Sequence, residues 1–273
     1  MNVVGRISAL CALLCLISYS QAAEPTLPTS DKDRPQVVAT FSIVAYDPEE
    51  EAWAIGVASK FLAVGHVVPW AEAETGAIAT QSLANTSYGP NGLALLREGK
   101  SAAEVLEILV EADEQKQNRQ VGIVDRFGNA ATFTGEECLP WCGGKTGDHY
   151  ACQGNILAGP EVIENMAAAF EKSEKPLAWR VMEALQAADQ SGGDIRGRQS
   201  AAILVVKDGA GYGGFNDRMI DLRVDDHATP IQELARILQL KLEPSEKVQS
   251  EETQPEETQQ EDAPEESADQ DSN

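Results

Sequence analysis

Two strand-like segments stand too close together in this chain for a helix to fit between them, and that spacing limits the fold more than any other feature. Residues 40 to 45 alternate Phe41, Ile43 and Ala45 against Ser42 and Val44, the period of a strand. Asp47-Pro48 turns the chain, and Trp53 to Ser59 reads as a second strand. Parallel neighbours need a crossover of a dozen or more residues, so this pair must be an antiparallel hairpin.

The rest of the chain repeats that logic. Gly76 to Gln81 reads as a third strand, and two helices follow: Pro90 to Glu98, closed by Gly99, and one opening at Ser101. Ser101 with Glu104 three residues on has capping-box spacing, ahead of Val105, Leu106, Ile108 and Leu109. Val121 to Asp125 and Ala130 to Thr134 flank Arg126-Phe127-Gly128-Asn129, where Gly and Asn suit the positive φ of a tight hairpin. After a Gly-rich loop, Tyr150 to Ile156 is a strand leading to a helix opened by Pro160, and another helix opens at Pro176. Ser200 to Val206, a Gly-rich turn through Gly209 to Gly214, and Ile220 to Val224 form a last strand pair before an amphipathic helix from Pro230 to Leu240. Hairpins together with paired helices predict an α+β fold: antiparallel sheets with helix pairs on their faces.

Both ends differ from this core. Residues 1–22 carry Arg6, the apolar run Ile7 to Ser18 and the small residues Ser20 and Ala22, the pattern of a cleaved signal peptide. The run is shorter than the roughly 20 residues of a spanning helix, so no membrane span is expected after cleavage. A secreted or periplasmic location follows. Residues 23–39 read as a linker or propiece, 40–242 as one domain, and 243–273 as a disordered acidic tail. The tail holds 12 acidic residues against Lys247, about half of the whole-chain net charge of −23. It reads as a solubilising extension, with an acidic interaction arm as the alternative. The remainder is acidic too, which excludes nucleic acid as a partner, since phosphate contacts need clustered Lys and Arg.

Cys138, Cys142 and Cys152 survive export. An oxidising compartment permits one disulfide among them, and pairing of Cys138 with Cys142 or with Cys152 is open. The Cys138/Cys142 spacing lacks a second Cys or His pair nearby, which argues against zinc. Asp225-Asp226-His227 carries ligand-type side chains, but strand neighbours face opposite ways, so a hydrogen-bonded turn is expected there. His66 and His149 lack a nucleophile-elbow partner, and no phosphate or dinucleotide loop is present. No metal and no cofactor are expected.

Six blocks occur in order: ATFSIVAYDP (39 to 48), GVASKFLAVGHVVPWAEAETGAIATQSLANTSYGP (56 to 90), FTGEECLPW (133 to 141), ACQGNILAGPEV (151 to 162), GGDIRGRQSAAILVV (192 to 206) and DLRVDDH (221 to 227). Together they resemble the family catalogued as domain of unknown function 1028, which is grouped with the N-terminal-nucleophile (Ntn) hydrolases. That resemblance implies a four-layer αββα sandwich and a hydrolase acting on a small amide or peptide. The alternative is a non-catalytic exported binding or assembly module that keeps the fold.

Ntn chemistry needs a hydroxyl or thiol residue whose own α-amino group, with a pKa of about 7.7 to 8.0, serves as base. Thr40 opens the first predicted strand and is the candidate nucleophile, which requires a cut at Ala39-Thr40. Ser59 and Lys60 end the second strand beside it, and a cation there would favour the ionised nucleophile or the neutral amine. Here the resemblance is incomplete: a proteasome-type site has an acidic residue before that serine, and this chain has Ala58. Gly154-Asn155 resembles the Gly-Asn pair of the oxyanion hole in glutamine-dependent amidotransferases, so Asn155 is the candidate donor. Gln81, Asn85, Arg198 and Gln199, polar residues at strand ends in the matching blocks, are candidates for substrate positioning, Arg198 by gripping a carboxylate or, equally, as one half of a structural ion pair. Face-to-face sheet folds of this kind often associate, so a homodimer is expected.

Overall fold

The first hairpin forms as its spacing requires. In the structure, a computed structural model that describes residues 40–243, β1 (Thr40–Asp47) and β2 (Ala52–Ser59) pair antiparallel with Thr40 opposite Ser59. They form the centre of a six-stranded sheet. β8 (Tyr150–Gly154) and β7 (Gly143–Gly147) extend it on the β1 side, β9 (Ser200–Val206) and β10 (Arg218–Val224) on the β2 side. A second sheet orders β3 (Pro69–Glu72), β4 (Gly76–Ser82), β5 (Arg119–Asp125) and β6 (Ala130–Thr134) in sequence. Every strand pair in both sheets is antiparallel.

Alternation along β1 explains how the sheets and helices stack. Phe41, Ile43 and Ala45 pack with Met166 and Phe170 of α3 (Glu161–Lys172), Val181 and Leu185 of α4 (Leu177–Gln190), and Leu234 and Leu238 of α5 (Pro230–Leu242). Val44 faces the other way and joins Ile55, Val57 and Leu204 against Ala77, Ala79 and Val124 of the smaller sheet. The far side of that sheet, through Ile78, Val121 and Ile123, packs on α1 (Tyr88–Arg97) and α2 (Ala102–Glu111). Each fully buried aliphatic side chain contributes about 1.5–3 kcal/mol, which makes the two-sided burial of the central strands a main source of stability. Gly56 on β2 lets α4 approach: a Cβ there would lie 2.5 Å from Val181 Cγ1.

Local signals account for most element ends. The capping box at Ser101 is made in full, with the hydroxyl accepting from the Glu104 N–H and the Glu104 carboxylate accepting from the Ser101 N–H. Gly128 takes φ +82° in the β5–β6 turn, as the hairpin needs. Asn129 does not; its side chain donates to Asp125 Oδ2 instead. Two strands lie outside the sequence reading. Pro69–Glu72 has no alternating apolar pattern, and Gly143–Gly147 is an exposed edge strand, read above as loop, that gains its order from pairing with β8. The strand expected to run to Ile156 stops at Gly154 because Ile156 takes φ +55°. Among the described residues no helix is long and apolar enough to cross a membrane. The expected signal peptide, propiece and nearly all of the acidic tail lie outside the described residues.

Candidate functional site

Thr40 sits where three strands end together. β1 lies between β2 and β8, so its first residue stands opposite Ser59 on one side, while Phe41 stands opposite Gly154 on the other. The Thr40 hydroxyl donates to Ser59 Oγ at 3.2 Å. Its carbonyl accepts from the Asn155 N–H at 3.0 Å and from Gln81 Nε2 at 3.4 Å. Thr40, Ser59, Gln81 and Asn155 are all buried.

Beneath Thr40 a polar network fills the space between the sheets. Ser42, Gln81, Gln120, Gln153 and Asn155 are each fully buried. Ser42 Oγ donates to Gln81 Oε1 at 2.6 Å and accepts from Gln153 Nε2 at 2.6 Å. Gln120 Oε1 accepts from both Gln81 Nε2 and Asn155 Nδ2 at 2.9 Å, and Gln120 Nε2 donates to the Gly154 carbonyl at 2.8 Å. Gln153 Oε1 and Asn155 Oδ1 have no hydrogen-bond partner among the described residues. An unmet buried acceptor costs about 1–3 kcal/mol, and the other two such atoms among the described residues, His149 Nδ1 and Arg180 Nε, lie at the opposite end. Two buried residues beside the network, Ser82 at φ +68° and Ile156 at φ +55°, hold left-handed backbone outside any hairpin turn. Such strain costs about 1–3 kcal/mol per residue and gathers at functional sites.

The remaining candidates divide into separate groups. Lys60 follows Ser59, but its Nζ donates to the Arg198 carbonyl at 3.3 Å and its N–H to Asp194 Oδ2 at 2.9 Å. Arg198 pairs through Nε with the buried Asp189, and Gln199 donates to Asp226 Oδ1. Asn85 lies in the outer layer, where its amide and the Tyr88 hydroxyl both donate to Asp113, which also pairs with Arg119 at 2.9 Å. Burial acts to raise the Asp113 carboxyl, but hydrogen bonds from Arg119, Asn85 and the Gln115 N–H outweigh it and hold the group well below the ordinary carboxylate range. Burial pushes the thiols of Cys138, Cys142 and Cys152 up, so none is a ready thiolate. All three cysteines are free, and the disulfide anticipated from export is not formed here.

Asp225-Asp226-His227 follows β10 rather than lying on it. The Asp225 carbonyl accepts from the Ala63 N–H, the His227 N–H donates to the Gln199 carbonyl, and His227 Nδ1 accepts from the Thr229 N–H at 3.0 Å, so the segment is a bend tied to other loops rather than the self-bonded turn expected. No group of three or more metal-ligating side chains occurs among the described residues. His149 stacks edge-on against Tyr46, one residue from the end of β1 opposite Thr40. Sequence reasoning missed Ser42, Gln120 and Gln153. Their signal was present in part: each is a polar side chain within a strand otherwise rich in apolar residues.

The geometry defines a mixed α/β protein of two antiparallel sheets and five helices among the described residues, with a buried hydroxyl pair at one end of the larger sheet. The chain belongs to the family of unknown function DUF1028, whose model matches residues 40–234. It is similar to protein SPO2555 from Silicibacter pomeroyi, described in its crystal structure as a DUF1028 protein, at 32% identity and a TM-score of 0.67 over 74% of this chain and 88% of that one. No curated protein matches.

Proposed function

We propose that the chain is an exported Ntn-type amidohydrolase that cleaves a small amide or peptide bond with Thr40 as nucleophile. The observation that carries the reading is the placement of Thr40: the first residue of a central strand, with its hydroxyl against Ser59. The order of helices, sheet, sheet and helices agrees with the αββα sandwich of the Ntn hydrolases. In the intact chain Thr40 is fully buried, so the reaction requires the cut at Ala39-Thr40. The freed α-amine then takes the hydroxyl proton as Oγ1 attacks the amide carbonyl, the amine product leaves, and water hydrolyses the ester. Gln81 and the Asn155 N–H, both on the Thr40 carbonyl, would fix the direction of attack. Lys60 and the Asn155 amide would have to leave their present partners to serve as tuning cation and oxyanion donor.

A specific observation favours a second reading, a non-catalytic exported module. Lys60 Nζ is spent on the Arg198 carbonyl and Asn155 Nδ2 on Gln120, so neither assists Thr40 in this arrangement. The test is turnover of an amide and peptide library by chain that begins at Thr40. The hydrolase reading expects Thr40→Ala to lower kcat/KM at least about 10³-fold, the scale of losing a nucleophile, with Thr40→Ser keeping part of it. Full activity in Thr40→Ala would remove Thr40 from the chemistry. A library left wholly uncut would favour the module.

A further inference from the structure

The loop joining β6 to β7 passes from the smaller sheet to the larger one at the Thr40 end, and it holds both ends of its path. On the smaller sheet, the Gly135 N–H donates to the Arg119 carbonyl and the Glu137 N–H to the Gln117 carbonyl. On the larger, the Leu139 and Trp141 carbonyls accept from the N–H groups of Ile156 and Leu157, each at 3.0 Å. The residues it clasps there follow Asn155 directly, at the strained turn above Thr40. Cys138 and Cys142 bracket Leu139 and Trp141.

We propose that Cys138 and Cys142 form a redox site: a dithiol that closes to a disulfide on exchange with a small-molecule disulfide and locks the clasp on the Asn155 turn. Proximity is the first support. Cys142 Sγ lies 3.3 Å from the Cys138 carbonyl oxygen, and an α-carbon stands about 2.4 Å from its own carbonyl oxygen, so that sulfur is within about 6 Å of the Cys138 α-carbon. That contact folds Cys142 back onto Cys138 within one short loop, and closing the bond requires their α-carbons to stand about 4.4–6.8 Å apart. Cys138 Sγ now donates to the Arg119 carbonyl at 3.3 Å, a contact it gives up when the disulfide closes. Accessibility is the second support, because Cys142, the attacking thiol, is only half-buried, while Cys138, the resolving thiol, is buried behind the exposed Leu139. Cys152 is fully buried on β8 and is left as the odd thiol.

The step balances without the rest of the protein. The Cys142 thiolate attacks one sulfur of the oxidant disulfide and releases one small thiolate. The Cys138 thiolate then attacks Cys142 Sγ in the mixed disulfide and releases the second. The protein loses two hydrogens and the oxidant becomes two thiols. Because burial raises both protein thiols, exchange is slow at neutral pH and quickens as pH rises. The site is independent of any role for Thr40.

Peptide mapping of the full chain tests this, after equilibration with oxidised and reduced glutathione and alkylation. Trypsin places Cys138 and Cys142 in one peptide, Phe127–Lys145, and Cys152 in another, Thr146–Lys172. The oxidised protein should yield Phe127–Lys145 unalkylated and two hydrogens lighter, and dithiothreitol should reverse this. Hydrogen exchange at Ile156 and Leu157 should slow, and Tm should rise by about 5 °C. Cys138→Ser and Cys142→Ser should each abolish these changes, and Cys152→Ala should leave them. Alkylation of both cysteines in oxidised protein, or recovery of Phe127–Lys145 linked to Thr146–Lys172, would overturn the proposal.

Discussion

The two ends of the sheets satisfy their buried groups differently. At the end away from Thr40, Asp125 accepts from the Phe127 and Asn129 N–H groups, from the Asn129 amide and from the N–H of Ala102 at the start of α2. Tyr46 stacks on Trp53 with ring centroids 4.7 Å apart, and Arg180 pairs with Asp47. The non-glycine residues with positive φ there, Glu51, Glu74 and His149, occupy turns between paired strands. Among the described residues each end leaves two buried atoms unmatched, His149 Nδ1 and Arg180 Nε at that end and Gln153 Oε1 and Asn155 Oδ1 at the Thr40 end, but only at the Thr40 end do glutamine and asparagine side chains replace apolar packing between the sheets and is left-handed non-glycine backbone buried. One end is organised for turn formation and the other for holding polar groups at fixed positions, an arrangement that costs stability.

That contrast can be broken by substitution. Gln120→Leu should have the largest effect on stability, about 4 kcal/mol in denaturant unfolding, since it takes from Asn155 Nδ2 its acceptor, from Gln81 Nε2 the shortest of its three and from the Gly154 carbonyl a donor. Asp125→Ala should cost about 2–3 kcal/mol by removing the acceptor of the β5–β6 turn N–H groups and of the Ala102 N–H, while the Ser101 box still caps α2, but should not disturb Thr40. If Asp125→Ala instead alters the Thr40 site and Gln120→Leu is neutral, the division of labour is wrong.

A smaller effect is expected from acid. The folded-state carboxyl of Asp113 is depressed, so its contribution is present above the unfolded pKa of about 3.9 and fades as pH falls below it toward the folded value. Melting temperatures followed from pH 5 to pH 2 should therefore fall less steeply in Asp113→Asn than in the parent. The smallest effect should be a gain: Ser82→Gly relieves left-handed strain and should stabilise by about 0.5–1 kcal/mol while loosening Gln81 beside it. A loss of stability there would mean that Ser82 is held by its side chain, not strained by its backbone.

What was legible in the sequence was local. Alternation at Phe41, Ile43 and Ala45, the Ser101/Glu104 box and the Gly128 turn are each set by a few neighbouring residues, and each formed. The β7 edge strand carries no apolar pattern, because only its hydrogen bonds to β8 make it a strand. The same distinction divides the site. Thr40 with Ser59 follows from the register of one hairpin. Gln81 stands opposite Gln120 in the smaller sheet and Ser42 opposite Gln153 in the larger, and these pairs meet each other and Asn155 only because the two sheets stack face to face. Lys60, Arg198 and Gln199, grouped with the site by their place at strand ends, turn their side chains to the Arg198 carbonyl, Asp189 and Asp226, partners that strand position alone does not specify.

The proposal that Thr40 becomes an N-terminal nucleophile stands or falls on one bond. Intact-mass and N-terminal analysis of the protein recovered from its native host reads that bond directly. The account predicts a chain that begins at Thr40. Stable, functional protein that still carries Ala39 joined to Thr40 would contradict it.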